Sequence, residues 1–150
     1  MQTFSAEQIE GTRRSFLDSG YSEVPAKIGG LDFTYFVLPQ QLNTELPDFA
    51  FRMTGNGEIY GVCESIRDEL RPYVAFHEVY EFRELGGEPG SCANAMTAEL
   101  AQVPENLRDE HVRMRTGFFK NLIRYREVNS LPTDEFYPSL KILEDWDVKS

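Results

Sequence analysis

The period of apolar and polar positions changes several times along this chain of 150 residues, and each change marks an element. Ser5-Ala6-Glu7-Gln8 has the form of a capping box, with Phe4 and Ile9 placed to staple it, so a first helix is predicted to start there. Ile9, Arg13, Phe16 and Leu17 line one face of that helix, and Gly20 lies where a left-handed residue would end it. Gly29-Gly30 then marks a turn into an aromatic and β-branched strand, Phe33 to Leu38, which stops at Pro39. A second strand is predicted at Phe49 to Met53. Asn56-Gly57 favours a primed hairpin turn, and Glu58 to Cys63 forms the returning strand. After Pro72 the period is helical up to Gly86-Gly87.

Ser91 can cap a third helix that carries Cys92, Ala93, Ala95, Met96, Ala98, Glu99, Leu100 and Ala101 toward Pro104, and its alanines allow close approach of a neighbour. A longer fourth helix presents Leu107, His111, Met114, Phe118, Leu122 and Tyr125 along one stripe. The tail from Leu131 holds Pro132, Pro138, a short helix-like Leu140 to Leu143, and Trp146 as a packing anchor. No repeat, low-complexity run or linker interrupts the chain. The expectation is one α+β domain over residues 1–150. It has a small, mainly antiparallel sheet with a hairpin, packed by an N-terminal helix and three later helices.

Composition narrows the function classes. Hydrophobic residues are 41% and aromatics 13%, enough for a chain that folds by itself. Twenty-five acidic residues against 15 basic ones give a net charge of −10, a field that repels nucleic acid and anionic membrane surfaces and suits a peptide or basic protein partner. The first residues, Met1 to Ser5, lack the basic and apolar regions of a secretory leader, so a cytoplasmic protein is expected. Cys63 and Cys92 have no C-x-x-C spacing and read as reduced, buried thiols.

The candidate chemistry lies on the second helix, in Ala75-Phe76-His77-Glu78-Val79-Tyr80-Glu81-Phe82. At about 100° per residue, His77, Glu81 and Glu84 share one stripe with Glu78 on its shoulder. Tyr73, Ala75, Phe76, Val79, Tyr80 and Phe82 cover most of the remaining surface. A helix apolar nearly all round needs partners for its carboxylates, because an unpaired buried charge is costly. A divalent cation is one such partner; the bland alternative is that these residues are simply the wet face of the helix. Glu99 is the acid placed to supply a third ligand, with Cys92 and His111 in reserve.

His77-Glu78-x-x-Glu81, followed by a helix bearing Glu99, resembles the active-site arrangement of the zincin-like metallopeptidases, over roughly residues 33–103. The resemblance implies His77, Glu81 and Glu99 as metal ligands and Glu78 as the base that takes a proton from water at the metal. That family has histidine where this chain has Glu81. A carboxylate there makes the site harder and more anionic, which lowers the metal's Lewis acidity and shifts preference from zinc toward manganese or iron. The implied activity is a weak or absent metal-dependent hydrolase or peptidase. Two alternatives stand beside it: a non-enzymatic acidic interaction or regulatory module, and a degenerate peptidase that keeps the fold for recognition only.

Overall fold

The computed structural model describes residues 3–149, with five helices and a four-stranded sheet. α1 (Ala6–Asp18) starts at the expected capping box: the Gln8 amide donates to Ser5 Oγ, and the Ser5 amide donates to Gln8 Oε1. β1 (Glu23–Ile28) and β2 (Leu31–Leu38) form a hairpin. β1 is an addition to the expected strands: Val24, Ala26 and Ile28 alternate toward the core with Pro25 and Lys27 exposed between them, and a proline, which argues against a strand interior, is tolerated on this edge strand. Gly29 and Gly30 both take positive φ, 57° and 80°, as a two-residue primed turn requires.

β3 (Ala50–Gly55) and β4 (Gly57–Cys63) form the second hairpin. Its tip differs from the expected Asn-Gly primed turn, because Asn56 keeps a negative φ and the flanking glycines take φ of 155° and 150°. The reason is Phe4. Its amide donates to Thr54 O and its carbonyl accepts from the Asn56 amide, so the tip is tied to the N-terminal segment, where a Cβ on Gly55 would lie 2.3 Å from Phe4 O.

The sheet order is β1-β2-β4-β3, and the central β2–β4 pair is parallel, so the sheet is mixed rather than purely antiparallel. Only Phe36–Leu38 and Gly61–Cys63 are paired there. Toward the other end a cleft of about 450 Å³ opens between the strands, lined by Thr34, Tyr60, Arg13 and Arg83 among others. Each arginine has a carboxylate partner. Arg83 donates to Glu58 Oε1 at 2.7 Å and to Asp32 O at 2.8 Å, and Arg13 pairs with Glu23.

Alternation along β2 and β4 sends Phe36, Leu38, Ile59 and Cys63 to one face, where they pack with Ile9 and other α1-side residues. Phe33, Tyr35, Tyr60 and Val62 go to the opposite face, beneath Val74, Ala75, Phe76 and Val79 of α2 (Arg71–Arg83). α3 (Cys92–Gln102), α4 (Glu105–Val128) and α5 (Tyr137–Lys149) close the far side of α2 around Met96, Leu100, Val112, Phe119 and Leu143. α5 is a fourth later helix where only a short helical piece was expected. Trp146 packs on this cluster, with Arg108 5.0 Å above its ring. α2 is thus covered by sheet on one side and helices on the other, which accounts for its nearly all-round apolar surface. Each large side chain buried in these layers contributes roughly 1.5–3 kcal/mol. Among the described residues no helix is long and apolar enough to cross a membrane.

Candidate metal centre

His77 is buried in the middle of α2, and its two ring nitrogens face different carboxylates. On the Nδ1 side stands Glu99 of α3, with Oε1 at 2.9 Å. Cys92 and Glu99 lie two turns apart on one face of α3, and the fully buried Ala95 between them lets this face close on α2. His77 and Glu99 therefore meet, as their positions on the two helices suggested.

Glu99 is the hub of a buried network. Arg115 donates to both its oxygens, Nε to Oε2 at 2.8 Å and Nη2 to Oε1 at 2.7 Å, and His111 Nε2 bonds to Oε2 as well. Burial opposes ionisation of Glu99, but the Arg115 charge and the hydrogen bonds from Arg115, His111 and His77 outweigh it and hold the carboxyl well below the usual range. An ionised carboxylate only accepts, so Nδ1 of His77 and Nε2 of His111 carry the protons they give to it. His111 Nδ1 is buried without a hydrogen-bond partner among the described residues.

The Nε2 side of His77 is arranged differently. Glu81 Oε1 lies at 3.3 Å and Cys92 Sγ at 3.6 Å, and the three atoms all fall within 4.8 Å of one another. Ser91 Oγ donates to the second Glu81 oxygen at 3.1 Å, and Ser139 Oγ of α5 donates to Cys92 Sγ at 3.1 Å. Arg52 of β3 approaches Glu81 Oε1 at 3.5 Å and Glu78 Oε2 at 3.7 Å. Its Nη1 is buried and makes no hydrogen bond among the described residues.

The carboxyls divide. Burial and the charge of Glu81 push Glu78 up, while for Glu81 burial is outweighed by the hydrogen bond and charge of His77 and by Arg52, which bring it down to about 2. For His77 itself burial opposes the charged form, but its acceptors Cys92, Glu81 and Glu99 together hold it well above 6.5. The His77 imidazolium and Arg52 thus favour the ionised form of Glu81, and the proton is kept on His77 and, under burial and the Glu81 charge, on Glu78.

His77, Glu78, Glu81 and Cys92 line a cavity of about 280 Å³ with Arg52 and Arg115, and the rest of its lining is largely apolar. His77, Glu81 and Cys92 come together at one point. Glu78 faces the same space, and Glu99 approaches His77 from behind. Sequence reasoning gave Cys92 only a reserve role and passed over Arg52, Arg115 and Ser139. His111 and Arg115, four apart on α4, sit on the stripe that is actually buried, with Phe119 and Ile123. The expected stripe shares His111 and otherwise runs one residue, about 100°, away. A buried arginine at helical spacing from a histidine was the available sign that a carboxylate lay opposite.

No protein-family model, curated protein or solved structure matches this chain.

Proposed function

We propose that His77, Glu81 and Cys92 form the ligand set of a divalent metal site of the zinc class, serving metal-dependent hydrolysis of a small acyl compound. Glu99 takes the role of the acceptor that orients His77, and Glu78 that of the acid–base group. The supporting observation is the set of separations on the Nε2 side. Nitrogen, oxygen and sulfur ligands at their usual bond lengths and the tetrahedral angle around one ion lie about 3.4–3.6 Å apart. His77 Nε2 is 3.3 Å from Glu81 Oε1 and 3.6 Å from Cys92 Sγ.

The second nitrogen of His77 bonded to a carboxylate supports the same reading, because a metal-binding imidazole ordinarily donates its other N–H to such a partner. A thiolate in the set favours zinc over the manganese expected for one imidazole and two carboxylates. When bound, the ion supplies Lewis acidity toward a carbonyl in the cavity. Glu78, on the cavity wall and held protonatable by burial and by Glu81, is placed to exchange a proton with a nucleophile there. The zincin-like arrangement belongs to this proposal, resting on the α2 motif and on the closeness of α3.

Elemental analysis of protein purified without chelators tests the site. One ion per chain is expected, absent from His77→Ala, Glu81→Ala and Cys92→Ser, with Glu99→Gln weakening affinity roughly 10–100-fold. No ion, with a melting temperature indifferent to zinc, manganese and iron, would end this reading.

A second reading has its own observation. Cys92 Sγ, His77 Nε2, His77 Nδ1 and Glu99 stand in the order nucleophile, base and orienting carboxylate. Here the thiol proton passes to Nε2, the sulfur attacks an acyl carbon, the leaving group departs with that proton, and water then cleaves the thioester. Hydrolysis of an activated ester that survives chelation and disappears in Cys92→Ser would favour the thiol. Activity or stability that follows zinc favours the metal.

A further inference from the structure

We infer that the cavity beside His77 binds a small carboxylate with an aromatic or branched hydrocarbon body, a class that deepens the metal reading and rests on it. The cavity is mixed in character. Part of its lining is polar, the proposed ligands with Arg52, Asn43 and Glu135, and part is apolar, Phe49, Phe118, Phe119, Phe136 and Leu122. Its volume of about 280 Å³ is at the lower limit of about 300 Å³ for small-molecule sites, which suits one amino-acid-sized ligand rather than an extended peptide.

Arg52 defines the head group. Its Nη1, shielded from solvent, lies 3.5 and 3.7 Å from two carboxylate oxygens without a hydrogen bond among the described residues, while the side chain as a whole is 24% exposed and lines the cavity. A buried donor without an acceptor is costly, and a guanidinium is satisfied best by a planar carboxylate taken in bidentate fashion. When Glu81 gives its charge to a metal, Arg52 keeps only Glu78 as a counter-charge. A ligand carboxylate restores what Glu81 withdrew. The four phenylalanine rings of the apolar part then select for a flat or branched apolar body and exclude short acids, which leave those rings in contact with water.

Calorimetric titration of the zinc-loaded protein with 3-phenylpropionate, 3-phenylpropionamide and acetate tests this, with zinc content measured on the same sample. The expected result is at least tenfold tighter binding of phenylpropionate than of either comparison compound. Arg52→Gln should erase the preference for carboxylate over amide, and Phe136→Ala, at a half-buried position, should weaken phenylpropionate several-fold while leaving acetate unchanged. Equal binding of phenylpropionate and its amide, or of phenylpropionate and acetate, by protein that has taken up zinc overturns the ligand class and leaves the metal site standing. Selective phenylpropionate binding by protein that takes up no zinc overturns the metal reading and keeps the ligand class. Absence of both overturns both.

Discussion

Two clusters of charge in this molecule are built from the same side chains and reach opposite solutions. In the cleft between β2 and β4, two arginines meet two glutamates: Arg83 with Glu58, and Arg13 with Glu23. Each arginine has its own glutamate, the carboxylates are hydrogen-bonded, and the side chains are a quarter to a third exposed. Around His77, Arg115 is committed to Glu99, and Glu78 and Glu81 share Arg52 and the His77 imidazole, with a thiol beside them. That half of the network balances only while His77 or Glu78 keeps an extra proton, or a cation stands in for it. The cleft is finished as a structural ion-pair cluster; the His77 site needs an added proton or cation. The difference separates a self-satisfied ion-pair cluster from one that depends on an extra proton or cation.

The comparison breaks first at Glu99. Glu99→Ala leaves the buried Arg115 guanidinium without its counter-charge, and a loss of about 3–5 kcal/mol in urea unfolding is expected. Adding Arg115→Met to that variant should recover more than half of the loss, because an apolar pair removes the stranded charge. A loss below about 1 kcal/mol from the single change would place Glu99 in the same class as the surface pairs. Zinc comes next. At one hundred times its dissociation constant it should stabilise the protein by about 2.7 kcal/mol in calorimetry, and not at all in Cys92→Ser. Arg83→Ala in the cleft should cost no more than about 1 kcal/mol, since that pair is partly exposed and screened by salt.

A separate effect appears only at alkaline pH. Burial, and then the Glu58 charge, raise the Tyr60 phenol above its ordinary value. The raised group favours the folded state fully below the unfolded phenol's pKa of about 10, and that contribution is lost as pH rises above it. Stability should therefore fall by up to about 1.4 kcal/mol per pH unit per buried phenol. Tyr60→Phe should flatten this slope, leaving the part due to Tyr35, which burial also raises.

Much of the fold was legible because local rules wrote it. The Ser5 box, the Gly29-Gly30 turn and the strands after it follow from residues within a few positions of one another. β1 and the β3–β4 tip were not legible, because Pro25 breaks the strand signal of an otherwise alternating edge strand and Phe4 reaches in from 51 positions away to hold Gly55. The site divides in the same way. His77, Glu78 and Glu81 are one helix turn, and spacing alone puts them together. Cys92 joins them only because α3 crosses α2 with Ala95 at the contact, and Arg52, Arg115 and Ser139 arrive from three further elements. Sequence spacing brought Glu99 to the right neighbour. Which ring nitrogen it would face depended on side-chain direction, which spacing does not carry.

Cobalt(II) titration of the metal-free protein, followed by absorption, tests the central claim most directly, since cobalt takes zinc sites and a thiolate ligand gives a charge-transfer band. The account predicts saturation at one ion per chain, a tetrahedral spectrum with that band, and loss of the band in Cys92→Ser while Cys63→Ser keeps it. A titration without a thiolate band, or one equally strong in His77→Ala, would contradict it.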